Sequence, residues 1–223
     1  MNNLQKRILT SLFILPLSFF FVVKGGYFLI FFLIFILFAG FHELFSSFKR
    51  GITIFFLSLI LILSLFSIYY LRVSTPDSAL VLYLVIAISI SSDIGGYVFG
   101  KIFKWKKLTK ISPKKTISGV FGSYFFSVIC LVVFLNIWTR DFTELFPAFI
   151  NIRSFLVAII FSTVAQFGDL TISYFKRLEK IKDTGKILPG HGGIFDRIDG
   201  LMFVVILAYL LYYFNKCFPC LLI

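Results

Sequence analysis

The sequence predicts an all-α protein, a polytopic integral membrane bundle of about seven helical spans with a polar cavity facing the cytosol. Three observations carry this expectation. Mean hydropathy is +0.99, and only 14% of residues are charged, where soluble domains carry about 25%. Apolar runs recur at lengths near the ~20 residues a helix needs to cross the hydrocarbon core. Lysine and arginine collect between those runs rather than inside them.

Seven runs qualify: 8–23, 25–41, 52–71, 79–99, 117–138, 154–175 and 201–214. The first two are short and joined by Lys24-Gly25-Gly26, which suits a tight helical hairpin or a reentrant pair and leaves the count open by one or two. The first run follows Lys6-Arg7 without a small-x-small cleavage pattern, so it reads as a retained anchor. The 32 Phe residues spread along the whole chain as lipid-facing and packing bulk. With the N-terminus inside, 17 basic residues fall on inner segments and 5 on outer ones. That asymmetry predicts an N-in, C-out topology with the polar loops in the cytoplasm. The net charge of +12 lies in these loops, which favours anionic lipid or an anionic substrate over nucleic acid. No internal repeat, heptad array or linker is visible, so residues 1–223 read as one transmembrane domain.

The cysteines add little. Cys130 sits inside an apolar run as a small packing residue. Cys217-Phe-Pro-Cys220 has the C-x-x-C spacing but no second pair or histidine cluster near it, which argues against zinc and leaves a terminal disulfide open.

Three polar constellations fall on the inner side. The first is Ser91-Ser92-Asp93-Ile94-Gly95-Gly96-Tyr97 near the inner end of the fourth run. An aspartate within a span costs several kcal/mol near its centre, so Asp93 is a functional candidate, weighed against a capped or snorkelling residue at the interface. The second is Lys110-Ile-Ser112-Pro-Lys114-Lys115-Thr116, whose hydroxyls and ammonium groups suit a phosphate. Lysines 101–107 read as ordinary topology signals. The third begins with Gln166-Phe-Gly-Asp169 and continues through Lys176-Arg177, Lys182-Asp183-Thr-Gly185 and Lys186 to His191-Gly-Gly-Ile-Phe-Asp196-Arg197-Ile-Asp199. Asp196 and Asp199 are three apart and share a helix face, with Arg197 pointing elsewhere. Three carboxylates meeting at a membrane edge repel unless a cation lies among them. Asp169, Asp196 and Asp199 are therefore the expected ligands of Mg²⁺, a hard cation held by carboxylates and substrate phosphates. Lys176, Arg177, Lys182 and Arg197 are expected to face the phosphates. His191 either donates to a phosphate or holds its glycine-rich loop.

Ser173-x-Phe-Lys176-Arg177, Lys182-Asp183-x-Gly185 and Leu188-Pro189-x-His191-Gly192-Gly193-Ile194-x-Asp196-Arg197-Ile198-Asp199 resemble the signature of phosphatidate cytidylyltransferases, the CDP-diacylglycerol synthases. The S-P-K-K-T segment and the D-x-G-x-Y segment at 93–97 resemble further motifs of that family in the same order, and the likeness covers roughly residues 85–210. One departure is Ile117-Ser118-Gly119, where family members often carry Trp-Glu-Gly.

The resemblance implies transfer of a cytidylyl group from CTP to phosphatidate, giving CDP-diacylglycerol and pyrophosphate for phospholipid biosynthesis. It implies Mg²⁺ dependence, with a second cation left open, a homodimer, and a place in the bacterial inner membrane. It makes Asp169, Asp196, Asp199 and Lys182 the expected catalytic residues. Asp93, Ser112, Lys114, Lys115, Thr116, Lys176, Arg177, His191 and Arg197 become the expected substrate contacts. The N-terminal spans then occupy about residues 1–78 and the catalytic core about 79–214. The rival readings are a membrane ion or solute transporter, suited by intramembrane aspartates, and a CTP-dependent lipid-alcohol kinase. A CDP-alcohol phosphotransferase fits poorly, because Asp199-Gly200 is followed by Leu-Met-Phe-Val with no later aspartate. No Walker A sequence is present.

Overall fold

The computed structural model describes residues 14, 16–109, 111–138, 152–185, 187 and 192–215. They form six long helices: α1 (Gly26–Ser47), α2 (Gly51–Val73), α3 (Pro76–Phe103), α4 (Ile117–Trp138), α5 (Ile152–Leu178) and α6 (Phe195–Asn215). Each is long and apolar enough to cross a bilayer. An isolated β-bridge joins Lys107 to Thr116. The expected bundle of about seven spans is thus met by six described ones. Residues 16–24 are helical and turn into α1 at Gly25 and Gly26, both with positive φ. The rest of the 8–23 run lies outside the described residues, as do Cys217 and Cys220.

Several helices outrun their apolar stretches. α1 continues past Phe41 to Ser47, α3 reaches Phe103, and α6 begins at Phe195, six residues before the apolar run. The reason is local. Polar side chains at these ends find partners, so the helix need not stop where hydrophobicity does. α3 opens with a capping box: the Ser78 N–H donates to Thr75 Oγ1 at 3.1 Å, and the Thr75 N–H donates to Ser78 Oγ at 2.9 Å. Pro76 sits at the first turn, where a missing N–H costs nothing.

Contacts between loops define two faces. On one, the Arg50 N–H donates to Glu179 Oε1 at 3.1 Å, the Ser47 hydroxyl donates to the Thr184 carbonyl, and Arg177 Nε donates to the Ile111 carbonyl at 3.4 Å. These bonds gather the α1–α2, α3–α4 and α5–α6 connections together. On the other face, Arg72 donates to the carbonyls of Val22 and Val23 at 2.8 and 2.6 Å, and Thr75 and Tyr212 share a 2.6 Å hydrogen bond.

α3 is the centre of the bundle. It touches α2, α4, α5 and α6, and 56% of its apolar window is buried against 28–33% in the other five helices. Its Val81, Leu82, Leu84, Val85 and Ile88 pack with Phe161, Val205 and Ala208 in one core. A second core joins Leu29 and Leu44 of α1 to Leu57 and Leu61 of α2, Ile172 of α5 and Phe195 of α6. Many phenylalanines point outward, among them Phe31, Phe38 and Phe55. In a bilayer that outer surface costs nothing, since lipid tails are as apolar as the side chains.

Candidate active site: a polar cavity where three helices meet

The α3–α4 pair is drawn together by glycine. A β-carbon on Gly96 would lie 2.8 Å from Ser123 Oγ, and one on Gly119 would lie 2.9 Å from the Gly96 carbonyl. Gly95 and Gly122 meet backbone to backbone in the same way. Small residues at this crossing let the main chains approach closely. The Ser123 hydroxyl then donates to the Ser92 carbonyl at 2.7 Å, and Ser92 bonds Ser162 of α5 at 2.8 Å. This polar seam ties α3, α4 and α5 around the residues that follow.

At the end of the seam nearest the α3–α4 connection lies a cavity of about 290 Å³. Asp93, Gly96 and Tyr97 of α3 line it, with Ser112, Lys114, Lys115 and Thr116 of the connecting loop and Gln166 and Asp169 of α5. The first two constellations and the start of the third therefore share one wall. The loop is held in place by a short hairpin: the Leu108 N–H donates to the Lys115 carbonyl at 2.9 Å, and the Ile117 N–H to the Lys106 carbonyl at 3.0 Å. Thr116 Oγ1 accepts from the Gly119 N–H at 3.1 Å and so caps α4. The Ile117-Ser118-Gly119 segment closes the cavity with Gly119 on its wall and Ser118 buried beside Thr116.

Inside the cavity, Lys115 Nζ lies 2.7 Å from Asp169 Oδ2 and donates to the Gln166 carbonyl at 3.1 Å. Ser173 donates to the other oxygen of Asp169 at 3.3 Å. Asp199 of α6 faces the same region. It stands behind the cavity wall, where its Oδ1 accepts from the Gly200 N–H at 2.8 Å. α6 reaches this point through a close crossing with α5, where a β-carbon on Gly200 would lie 2.8 Å from the Ala165 carbonyl.

The expected trio of Asp169, Asp196 and Asp199 is not gathered. Among the described residues no group of three or more His, Cys, Asp or Glu is placed to hold one metal ion. Asp196 has a different occupation. Its Oδ1 accepts from Lys176 at 2.7 Å, and its Oδ2 accepts from the N–H groups of Thr184 and Gly193 at 2.8 and 3.1 Å. Both members of the Lys176–Asp196 pair are 9% exposed at the side chain, so this is a buried bridge holding the α5–α6 loop. Gly192 takes a φ of +86° beside it, and a β-carbon there would lie 3.0 Å from Asp196 Oδ2. Asp93, unlike Asp196, shares the cavity wall with Asp169.

Other expected contacts sort likewise. Lys114, Lys115, Ser112 and Thr116 line the cavity. Lys176 is buried in its bridge with Asp196. Arg177 donates to the Ile111 and Ile181 carbonyls, which braces two loops. Lys182 is exposed in the α5–α6 loop, away from the cavity wall. Arg197 is exposed at the start of α6, on the cavity side. His191 and Lys186 lie outside the described residues. One residue went unread in the sequence. Glu43 of α1 is 1% exposed and accepts from the Ile194 N–H at 2.7 Å, the Phe195 N–H at 3.1 Å and Thr184 Oγ1 at 3.3 Å. A carboxylate inside an apolar helix was the available signal.

Comparison with known proteins bears on this geometry. A model of the cytidylyltransferase family matches residues 46–215. The chain is similar to a protein named phosphatidate cytidylyltransferase in Staphylococcus epidermidis, at 41% identity over 122 residues, or 51% of this chain and 42% of that protein. One of the same name in Staphylococcus haemolyticus is 38% identical over 145 residues, covering 61% and 50%. A third, in Staphylococcus aureus, is 45% identical over 116 residues, covering 51% and 42%. The chain spans about half the length of the curated relatives it matches.

Proposed function

The chain belongs to the cytidylyltransferase family, and from that premise we propose that it transfers the cytidylyl group of CTP to phosphatidate, releasing pyrophosphate and leaving CDP-diacylglycerol. The observation that carries this reading is the cavity itself. It joins lysines and hydroxyls of the α3–α4 loop to carboxylates of α3 and α5, on the face where the basic loops gather. One reactant keeps its tails in the bilayer and the other is dissolved in water, so their phosphates meet only at such a boundary.

The chemistry asks little of a general base. A phosphate monoester carries about −1.5 to −2 charge at pH 7 and is already a nucleophile. An oxygen of the phosphatidate phosphate attacks the α-phosphorus of CTP. The bond from that phosphorus to the bridging oxygen breaks, and pyrophosphate leaves with its electron pair. The obstacle is repulsion between two polyanions. Lys114 and Lys115 supply positive charge on the cavity wall, and Ser112 and Thr116 supply hydroxyl donors. Positioning and charge neutralisation of this kind supply most of the rate in phosphoryl transfer.

The carboxylates fit a divalent cation. Mg²⁺ is ordinarily held by one or two carboxylates plus substrate phosphates; Asp169 lies on the cavity wall beside Lys115, and Asp199 of α6 is near enough to feel its charge. Those two would hold it, with Asp93 beside them, and the ion would neutralise phosphate charge. Asp196 serves this reading by anchoring the loop and helix that bear Asp199. The enzyme would work as a homodimer in the bacterial inner membrane, with its polar face in the cytoplasm. The test is turnover by the purified chain with labelled CTP, phosphatidate and Mg²⁺. Label passing into a lipid-soluble cytidine product supports the reading. Transfer of the γ-phosphate to a lipid alcohol without cytidine favours the kinase, and no product with any lipid or cation overturns cytidylyl transfer.

A further inference from the structure

The start of α6 is pinned from two sides by two carboxylates that belong to different helices. Asp196 takes the N–H groups of Thr184 and Gly193. Glu43, from α1, takes the next two N–H groups along the chain, those of Ile194 and Phe195, and the Thr184 hydroxyl besides. The first N–H groups of a helix have no partner within it, and a negative charge there also meets the positive end of the helix dipole. No salt bridge reaches Glu43 among the described residues. This fully buried carboxylate is therefore balanced by backbone donors and a hydroxyl. The surroundings are shaped to it. A β-carbon on Gly185 would lie 2.7 Å from Glu43 Oε1, and one on Gly193 would lie 2.6 Å from Oε2. Glycine at both places is what lets the loop close over the carboxylate.

We propose that Glu43 is a positioning residue for the reaction, which sets the start of α6 and thereby holds Arg197 and Asp199 toward the cavity residues Asp93 and Asp169. The proposal rests on the cytidylyltransfer reading and adds to it a residue from α1, ahead of the segment that the family model matches. Phe195 begins α6, and Asp199 lies one helical turn further on. A rotation or slide at Phe195 therefore carries directly to the Asp199 carboxylate, whose neighbours Asp169 and Asp93 stand on other helices.

The test compares the full chain in detergent with Glu43→Gln and with the milder Thr184→Val. Glu43→Gln keeps the shape and one acceptor oxygen but loses the charge and the second acceptor. The expected result is a fall in kcat of at least tenfold and a several-fold rise in the Mg²⁺ concentration giving half-maximal rate, with Thr184→Val shifted less in the same direction. Retention of Mn²⁺ alone, followed by its electron paramagnetic resonance signal, should weaken several-fold in Glu43→Gln without any turnover being required. A merely structural role would lower the yield of folded protein and leave Mg²⁺ dependence and Mn²⁺ retention per folded chain unchanged. That pattern overturns the proposal. Should Glu43→Gln fail to fold, Thr184→Val decides, and unaltered metal dependence there overturns it. A wild-type chain without turnover defeats the cytidylyltransfer reading, while an active wild type beside a metal-normal Glu43→Gln defeats only the role of Glu43.

Discussion

Asp196 and Asp199 stand one helical turn apart and do different work. Asp196 is closed in by Lys176 and two N–H groups, whereas the side chain of Asp199 accepts from its neighbour Gly200. Their asparagine variants should separate. Asp196→Asn leaves the Lys176 ammonium buried without its counter-charge, which costs about 3 kcal/mol or more. Its thermal midpoint should fall by roughly 6–12 °C, read by size-exclusion after heating. Asp199→Asn should keep its midpoint and lose at least ~100-fold in turnover, on the scale of removing a charge-stabilising group. Lys104→Gln, in the exposed stretch of α3–α4 loop away from the cavity wall, should keep more than half of wild-type activity in the same assay. These contrasts also mark what the sequence could say. Asp93, Ser112, Lys114, Lys115, Thr116 and Asp169 were legible because polar groups at the edge of an apolar run have few reasons to be there. The pairing of Asp196 with Lys176 was not legible, because twenty residues of chain separate them and spacing does not say which cation a carboxylate will choose.

At the scale of elements, the α3–α4 crossing sets the width of the cavity. Gly119 and Gly122 of α4 face Gly95 and Gly96 of α3 with no room for a side chain. A methyl group at Gly122 would run into the Gly95 carbonyl and the Phe99 ring. Overpacking of this kind costs about 1–3 kcal/mol, so Gly122→Ala should unfold roughly 3–10 °C lower. The same variant should lose turnover beyond what its folded fraction explains, because Thr116, Gly119 and Ser123 shift with the helix. The helices themselves were legible from hydropathy, and α4 occupies the 117–138 run it was expected to fill. Their ends were less so. α1 runs on through Glu43 because that carboxylate finds donors in Ile194 and Phe195, where α6 begins, 151 and 152 residues away, and no local pattern encodes so distant a partner.

For the molecule as a whole, the bonds between loops divide the bundle into a loop-rich basic face and an opposite face fixed by Arg72, Thr75 and Tyr212. The positive-inside asymmetry predicts that the basic face lies in the cytoplasm. Single cysteines at Lys106 and Lys24, introduced into a cysteine-free chain, test this directly. Lys106→Cys should resist a membrane-impermeant thiol reagent in intact cells and react after permeabilisation, while Lys24→Cys should react from outside. The reverse pattern would put the cavity on the wrong side for a cytosolic nucleotide. Beneath the topology stands one claim, that carboxylates of α5 and α6 share a divalent ion beside the cavity. Titration of the purified chain with Mn²⁺, followed by electron paramagnetic resonance, tests it most directly. The expected result is a bound ion competed by Mg²⁺ and lost in Asp169→Asn and Asp199→Asn, but kept in Asp183→Asn, whose side chain is exposed in the loop. Binding of equal strength in all four proteins would contradict it.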